Sequence, residues 1–137
     1  MNTTIMTKGR VRQYRKLKKE IDLLNERIAK CDEQIIFDTV QGSVGVGHQK
    51  RNILVTGNGN PQLPRLYTRK REREAECAAI EMFVDSVEDS VMWQLLTRRY
   101  LDGCTIQETA DLMNYSTVHV GRLIDNFFEK MMSNDDK

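Results

Sequence analysis

Apolar residues come first at alternating spacings of three and four: Tyr14, Leu17, Ile21, Leu24, Ile28, Cys31 and Ile35. That spacing is a heptad seam, with Tyr14, Ile21, Ile28 and Ile35 at one core position and Leu17, Leu24 and Cys31 at the other. It predicts one long amphipathic helix over residues 8–37. About three heptads is marginal for a free-standing coil, so two readings stand side by side. The seam pairs with a second chain, giving a homodimer through residues 14–35, or it packs on its own domain. The pattern then collapses. Residues 40–64 hold five of the eight glycines and both prolines, and glycine loses too much entropy for a helix there. A Gly-rich loop or small β-hairpin is expected, pairing Ile53, Leu54, Val55 and Thr56 with the stretch from Val44 to Val46, and Asn58-Gly59 is a turn signal. Helical spacing returns over residues 64–84, with Leu66, Cys77, Ile80 and Val84 on one stripe. The mixed-sign run from Arg69 to Glu74 beside it reads as a solvated face. Asp85 or Ser86 is expected to cap a further helix, which carries Glu88 and Asp89 in its first turn and runs to about Leu101. Val87, Val91, Leu95 and Trp93 or Leu96 are its expected core, and Gly103 is its left-handed stop.

The segment ETADLMNYSTVHV, residues 108–120, then breaks one short helix and starts another. Thr105 and Glu108 have the spacing of a capping box. Asn114 tolerates left-handed backbone angles, and Ser116 can cap the helix that continues to about Met131. Ala110 falls where two crossing helices approach closely, and Ile106, Met113, Tyr115, Val120 and Leu123 take the apolar positions between them. Caps, turn, small residue and apolar spacing together predict a helix-turn-helix. Its second helix presents Ser116, Thr117, Val118, His119, Gly121 and Arg122 outward. Arg122 suits a guanine or a phosphate, Ser116 and Thr117 suit phosphates or bases, and Val118 suits a thymine methyl. Each has a plainer role open to it: Ser116 as a cap alone, His119 as a surface residue, Arg122 as the ion-pair partner of Asp125 or Asp111.

Charge complicates that picture. The chain is nearly neutral at +1, yet residues 8–30 carry nine Lys or Arg against three Asp or Glu, and residues 81–137 carry five against eleven. The basic end attracts nucleic acid and the acidic end repels it. Arg10, Arg12, Arg15, Lys16, Lys18 and Lys19 are therefore candidates for contacts to phosphate or to a partner protein. The glycines from Gly42 to Gly47 have the gap of a phosphate-binding loop, but His48-Gln49 stands where Lys and a hydroxyl are required. Three scattered cysteines and two histidines argue against a zinc site and for a reducing compartment. No nucleophile, carboxylate pair or small-molecule site stands out, so no enzyme and no cofactor are expected. Nor does the chain carry an apolar run of membrane-spanning length or a signal-like N-terminus.

Residues 87–131, WQLLTRRYLDGCTIQETADLMNYSTVHVGRLIDNFFEKM at their heart, resemble the region-four domain of sigma factors. The chain as a whole resembles phage-encoded sigma-like regulators of late genes of the ArpU and RinA type, through YRKLKKEIDLL, DTVQGS, ILVTG and the C-terminal corner. That resemblance implies a mainly α protein in the bacterial cytoplasm that binds double-stranded DNA and works with host RNA polymerase. On this reading residues 1–39 are a basic amphipathic or coiled-coil helix and 40–64 a linker or hairpin. Residues 65–132 are the sigma-like helix-turn-helix domain and 133–137 a polar tail. Sigma-type recognition helices are rich in Arg and Lys, whereas Arg122 is nearly alone here. Two other functions fit the same features: a small terminase subunit that packages viral DNA as a ring, and an interaction module that docks on polymerase without reading DNA.

Overall fold

The computed structural model describes residues 6–43 and 61–135, and the protein is mainly α, with no strand among the described residues. The expected pairing of Val44–Val46 with Ile53–Thr56, the Asn58-Gly59 turn and most of the glycine loop fall outside them. Six α-helices follow in order: α1 (Lys8–Arg12), α2 (Tyr14–Ser43), α3 (Gln62–Asp85), α4 (Ser90–Leu96), α5 (Ile106–Met113) and α6 (Thr117–Asp135). A π-helical turn, Thr97–Leu101, extends α4. Two compact units form: Met1–Leu17 with Glu76–Lys137, and Lys18–Ala75.

The expected single helix from residue 8 is interrupted once. Thr7 caps α1 by accepting a hydrogen bond from the Arg10 amide at 3.1 Å. At Gln13 the amide bonds back three residues to the Arg10 carbonyl at 3.0 Å, the tightened geometry that ends a helical turn. α2 then restarts, and it runs to Ser43, four residues into the glycine-rich segment.

In the unit Lys18–Ala75, Ile21, Leu24 and Ile28 lie buried along α2. The facing stripe on α3 keeps the same three-and-four rhythm through Leu63, Leu66, Lys70 and Arg73, all half-buried. Two of its positions are thus cationic, which is why the apolar stripe read from the sequence has a gap between Leu66 and Cys77. Glu20 answers this charge by accepting hydrogen bonds from Arg69 and Arg73, the latter at 3.0 Å. Burial pushes the Glu20 carboxyl up, but the two guanidinium donors more than offset it and hold the group below its ordinary range. With Tyr14, Ile21, Leu24 and Ile28 each at most 8% exposed in the single chain, those seam positions are covered without a second copy. Leu17 and Cys31, on the same seam, are half-buried.

In the other unit, Val11 and Tyr14 join Cys77, Ile80 and Val84 of α3, Met92, Leu95 and Leu96 of α4, Tyr100, Ala110, and Val120, Ile124 and Phe128 of α6 in one core. Phe83 meets Phe127 and Phe128 at ring-centroid distances of 6.2 and 6.1 Å, tying the end of α3 to α6. Burial and a hydrogen bond donated to Glu81 push the Tyr14 phenol well above its usual range.

Two expectations need correction here. α3 continues through Asp85, so neither Asp85 nor Ser86 caps α4. Asp89 does, accepting from the Met92 amide at 2.8 Å, while the Ser86 hydroxyl donates back to the Phe83 carbonyl at 2.6 Å. Trp93 does not enter the core: it is 40% exposed, and Met92, Leu96 and Tyr100 point inward instead. Their spacing of four survives to Tyr100 because the π turn, closed by Asp102 N–H donating to the Thr97 carbonyl at 2.8 Å, carries an extra residue per turn. Gly103 ends the segment at φ 80°, as its type predicts.

Candidate nucleic-acid interface

The corner between α5 and α6 is built by local chemistry. Thr105 Oγ1 accepts from the Glu108 amide at 3.0 Å, and Glu108 Oε1 accepts from the Thr105 amide at 2.8 Å, which is the expected capping box. One polar side chain, Thr109, is fully buried here, and its hydroxyl donates to the Thr105 carbonyl at 3.0 Å, so its desolvation is compensated. α5 stops at Asn114, whose φ of 63° and ψ of 40° are left-handed. The Tyr115 amide then reaches back to the Ala110 carbonyl at 2.9 Å, the closure typical of a helix ended by a left-handed residue. Ser116 Oγ accepts from the His119 amide at 3.0 Å and starts α6.

Tertiary packing holds the two helices in register. Ala110 is 1% exposed and Val120 fully buried, while Ile106, Met113, Tyr115 and Leu123 are half-buried around them. With Val120, Ile124 and Phe128 inward, spaced by four, the opposite face of α6 is presented to solvent. Val118 is 62% exposed, and Ser116, His119 and Arg122 are exposed as well. Thr117 and Gly121 are only half-exposed, and the Gly121 Cα faces Ile106. The His119 imidazole stands edge-on to Tyr115 at 4.8 Å between centroids. That contact fixes its direction without burying it. Arg122 makes no ion pair among the described residues. The two acids open to it are engaged elsewhere: Asp111 accepts from Gln107 at 3.1 Å, and Asp125 pairs with Lys8 at 2.5 Å.

That last pair brings the basic N-terminus to the acidic corner. Residues 7–17 belong to the same unit as α4 to α6. Burial raises the Tyr100 phenol above its usual range, while Lys8, Arg99 and Arg12 act to lower it and Asp125 to raise it; these charges are gathered around one ring. Arg99 lies 5.7 Å from the Tyr100 centroid and donates to the Cys104 carbonyl at 3.1 Å. Arg15 donates to the Leu101 carbonyl at 3.3 Å and packs against Gly103, where a Cβ would approach its Nε to 2.9 Å. Glycine at this position therefore serves both a left-handed turn and a close neighbour.

The six basic residues singled out in the arm separate on this geometry. Arg10 is engaged in a fork on Glu76, at 2.8 and 2.7 Å; the hydrogen bond holds the guanidinium above, and the Glu76 carboxyl below, their ordinary values. Arg12, Arg15 and Lys16 are exposed and share the unit of the corner, whereas Lys18 and Lys19 belong to the other unit. Lys8 was not among the six. Nothing in the sequence ties it to a residue 117 positions away.

Two cavities lie in this unit. One, of about 810 Å³, is lined by Asp89, Met92, Leu123, Phe127 and Lys130. The other, of about 330 Å³, lies at the π turn beside Trp93, Thr97 and Arg98. No group of three His, Cys, Asp or Glu side chains among the described residues is arranged to hold a metal ion, and no helix there is long and apolar enough to cross a membrane. Comparison with family models, curated proteins and solved structures yields no match to this chain.

Proposed function

We propose that this protein is a DNA-binding transcription regulator in which α5 and α6 act as a helix-turn-helix and α6 is the recognition helix. One observation carries the reading. A tight corner, capped on both sides and turned at a left-handed Asn114, has a buried inner face, and its outward first turns leave Val118, His119 and Arg122 exposed. A helical hairpin serving only to pack has no need of an unpaired arginine and a solvent-exposed valine side by side on its second helix. In the major groove, Arg122 pairs with guanine or a phosphate, Val118 touches a thymine methyl, and Ser116 and Thr117 contact the backbone or base edges. Arg12, Arg15 and Lys16 add phosphate contacts from the N-terminal arm, which offsets the acidic character of the corner. The resemblance to phage-encoded sigma-like regulators extends the proposal to late-gene activation together with RNA polymerase.

The test is fluorescence anisotropy on duplexes tiled across the gene's own neighbourhood, with random competitor, with and without polymerase. One tile should bind in a way that survives competitor. Arg122→Ala should weaken that tile by about tenfold or more, the worth of one good base contact, without lowering the melting temperature. Absence of any sequence preference, with polymerase present, rejects the proposal. A second reading draws on the groove lined by Met92, Leu123 and Phe127: the unit docks on a polymerase subunit without reading DNA. A polymerase complex that survives nuclease treatment and is lost in Phe127→Asp, while Arg122→Ala leaves it intact, favours that reading.

A further inference from the structure

Val118, Arg122 and Asp125 follow one another on α6 at spacings of four and three, so all three share one face of the helix. A rise of 1.5 Å per residue sets Asp125 about 10 Å along the axis from Val118. The major groove is roughly 12 Å wide. With Val118 against the bases, Asp125 therefore stands near the groove's edge, where the phosphates run, within about one Debye length of them at physiological salt. A bare carboxylate on that face opposes binding. In this protein it is not bare: Lys8 Nζ lies 2.5 Å from Asp125 Oδ1, both side chains remaining open to solvent at 41% and 53%. Lys8 opens α1, whose Val11 is fully buried in the core of the same unit, so the ammonium is delivered by an anchored turn and not by a loose tail.

We infer that Lys8 is a positioning residue of the DNA interface: it masks Asp125, and so makes the recognition face of α6 compatible with a phosphate backbone. The inference rests on the DNA-binding reading given above and adds a specific role for α1. Asp125 in turn acts as a brake on α6. Without α1 docked against it, the recognition helix presents a negative charge beside Arg122 and is disfavoured on any duplex. Docking of the N-terminal turn thereby couples DNA affinity to the folded state of the whole unit.

A thermodynamic cycle on the full-length chain tests this, with anisotropy on the best-bound duplex read at two salt concentrations. Lys8→Ala should weaken binding about three- to tenfold at ~0.1 M salt. Asp125→Asn alone should leave binding equal or slightly tighter, and Lys8→Ala combined with Asp125→Asn should return to within about twofold of the unaltered protein. Lys8→Arg should retain affinity. Thermal melting should be nearly unchanged throughout, because exposed ion pairs contribute little to stability. If Lys8→Ala costs the same affinity in the Asp125→Asn background, Lys8 meets DNA independently and masking is wrong. If none of these variants alters binding while Arg122→Ala does, α1 lies off the interface; the inference falls and the DNA-binding reading stands. If the unaltered protein shows no specific binding, both fall together.

Discussion

The two halves of α3 carry one stripe with two different outcomes. Toward its C-terminus, Cys77, Ile80 and Val84 are at most 4% exposed; toward its N-terminus, Leu63, Leu66, Lys70 and Arg73 on the same stripe are half-buried. The helix and the rhythm are the same, and the difference lies in what faces each half. Val84 and its neighbours share a core with side chains from several other elements, including Leu95, Leu96, Val120 and Phe128. Lys70 and Arg73 stand in a unit whose cationic stripe is answered chiefly by Glu20. Periodicity decides which side of a helix turns inward, and the depth of burial is set by how many other elements converge on it. The unit with the deeper core is also the one that keeps an exposed, chemically specific face, at Val118, His119 and Arg122.

Substitutions can widen or erase that contrast. The largest effect is expected for Ile80→Ala, which should cost about 3 kcal/mol in denaturant unfolding, the usual range for a fully buried large-to-small change. Leu66→Ala, half-exposed on the same stripe, should cost only about 1 kcal/mol; equal costs would mean that the two halves of α3 are equally packed. Asn114→Ala should cost about 1 kcal/mol, since a Cβ-bearing residue without a compensating amide is forced to a φ of 63°. Asn114→Gly should be nearly neutral.

The Arg10–Glu76 fork gives a smaller, pH-dependent term. Arg10 holds the Glu76 carboxyl below its ordinary value. Its contribution is therefore fully present above that value and is lost as pH falls through the depressed folded one. Arg10→Ala should reduce stability by about 1 kcal/mol at neutral pH. The stabilities of the variant and the unaltered protein should converge as pH falls below the ordinary carboxylate range and through the depressed folded value; a gap that stays constant throughout that fall would assign the effect to lost packing. Smallest of all, Lys70→Leu should stabilise the unit Lys18–Ala75 by about 0.5 kcal/mol by extending the apolar stripe, and a loss of stability there would show that the lysine takes part in the charge network around Glu20.

What was legible in the sequence was the local chemistry. Thr105 and Glu108, Asn114 and Ser116 announce the corner because a cap or a left-handed turn needs only residues a few positions apart. The mainly helical class was legible for the same reason. The boundary before α4 was not, because Asp85, Ser86, Asp89 and Ser90 all suit a cap and only the true end of α3 selects Asp89. Of the two alternatives the pattern offered, Leu96 is the buried one and Trp93 is not, and the π turn carries Tyr100 into the core without leaving a mark in the pattern. The burial of Tyr14, Ile21, Leu24 and Ile28 within the single chain, one of two readings the seam left open, and the pairing of Lys8 with Asp125 are tertiary facts, which heptad spacing and net charge cannot decide.

The most direct measurement is selection from a pool of randomised duplexes, run in parallel with the unaltered protein and with Arg122→Ala, and sequenced after several rounds. The account predicts a short enriched motif for the unaltered protein, and for Arg122→Ala the same motif relaxed at one guanine-bearing position. No enrichment from either protein, or an identical motif from both, would contradict the claim that α6 reads DNA through Arg122.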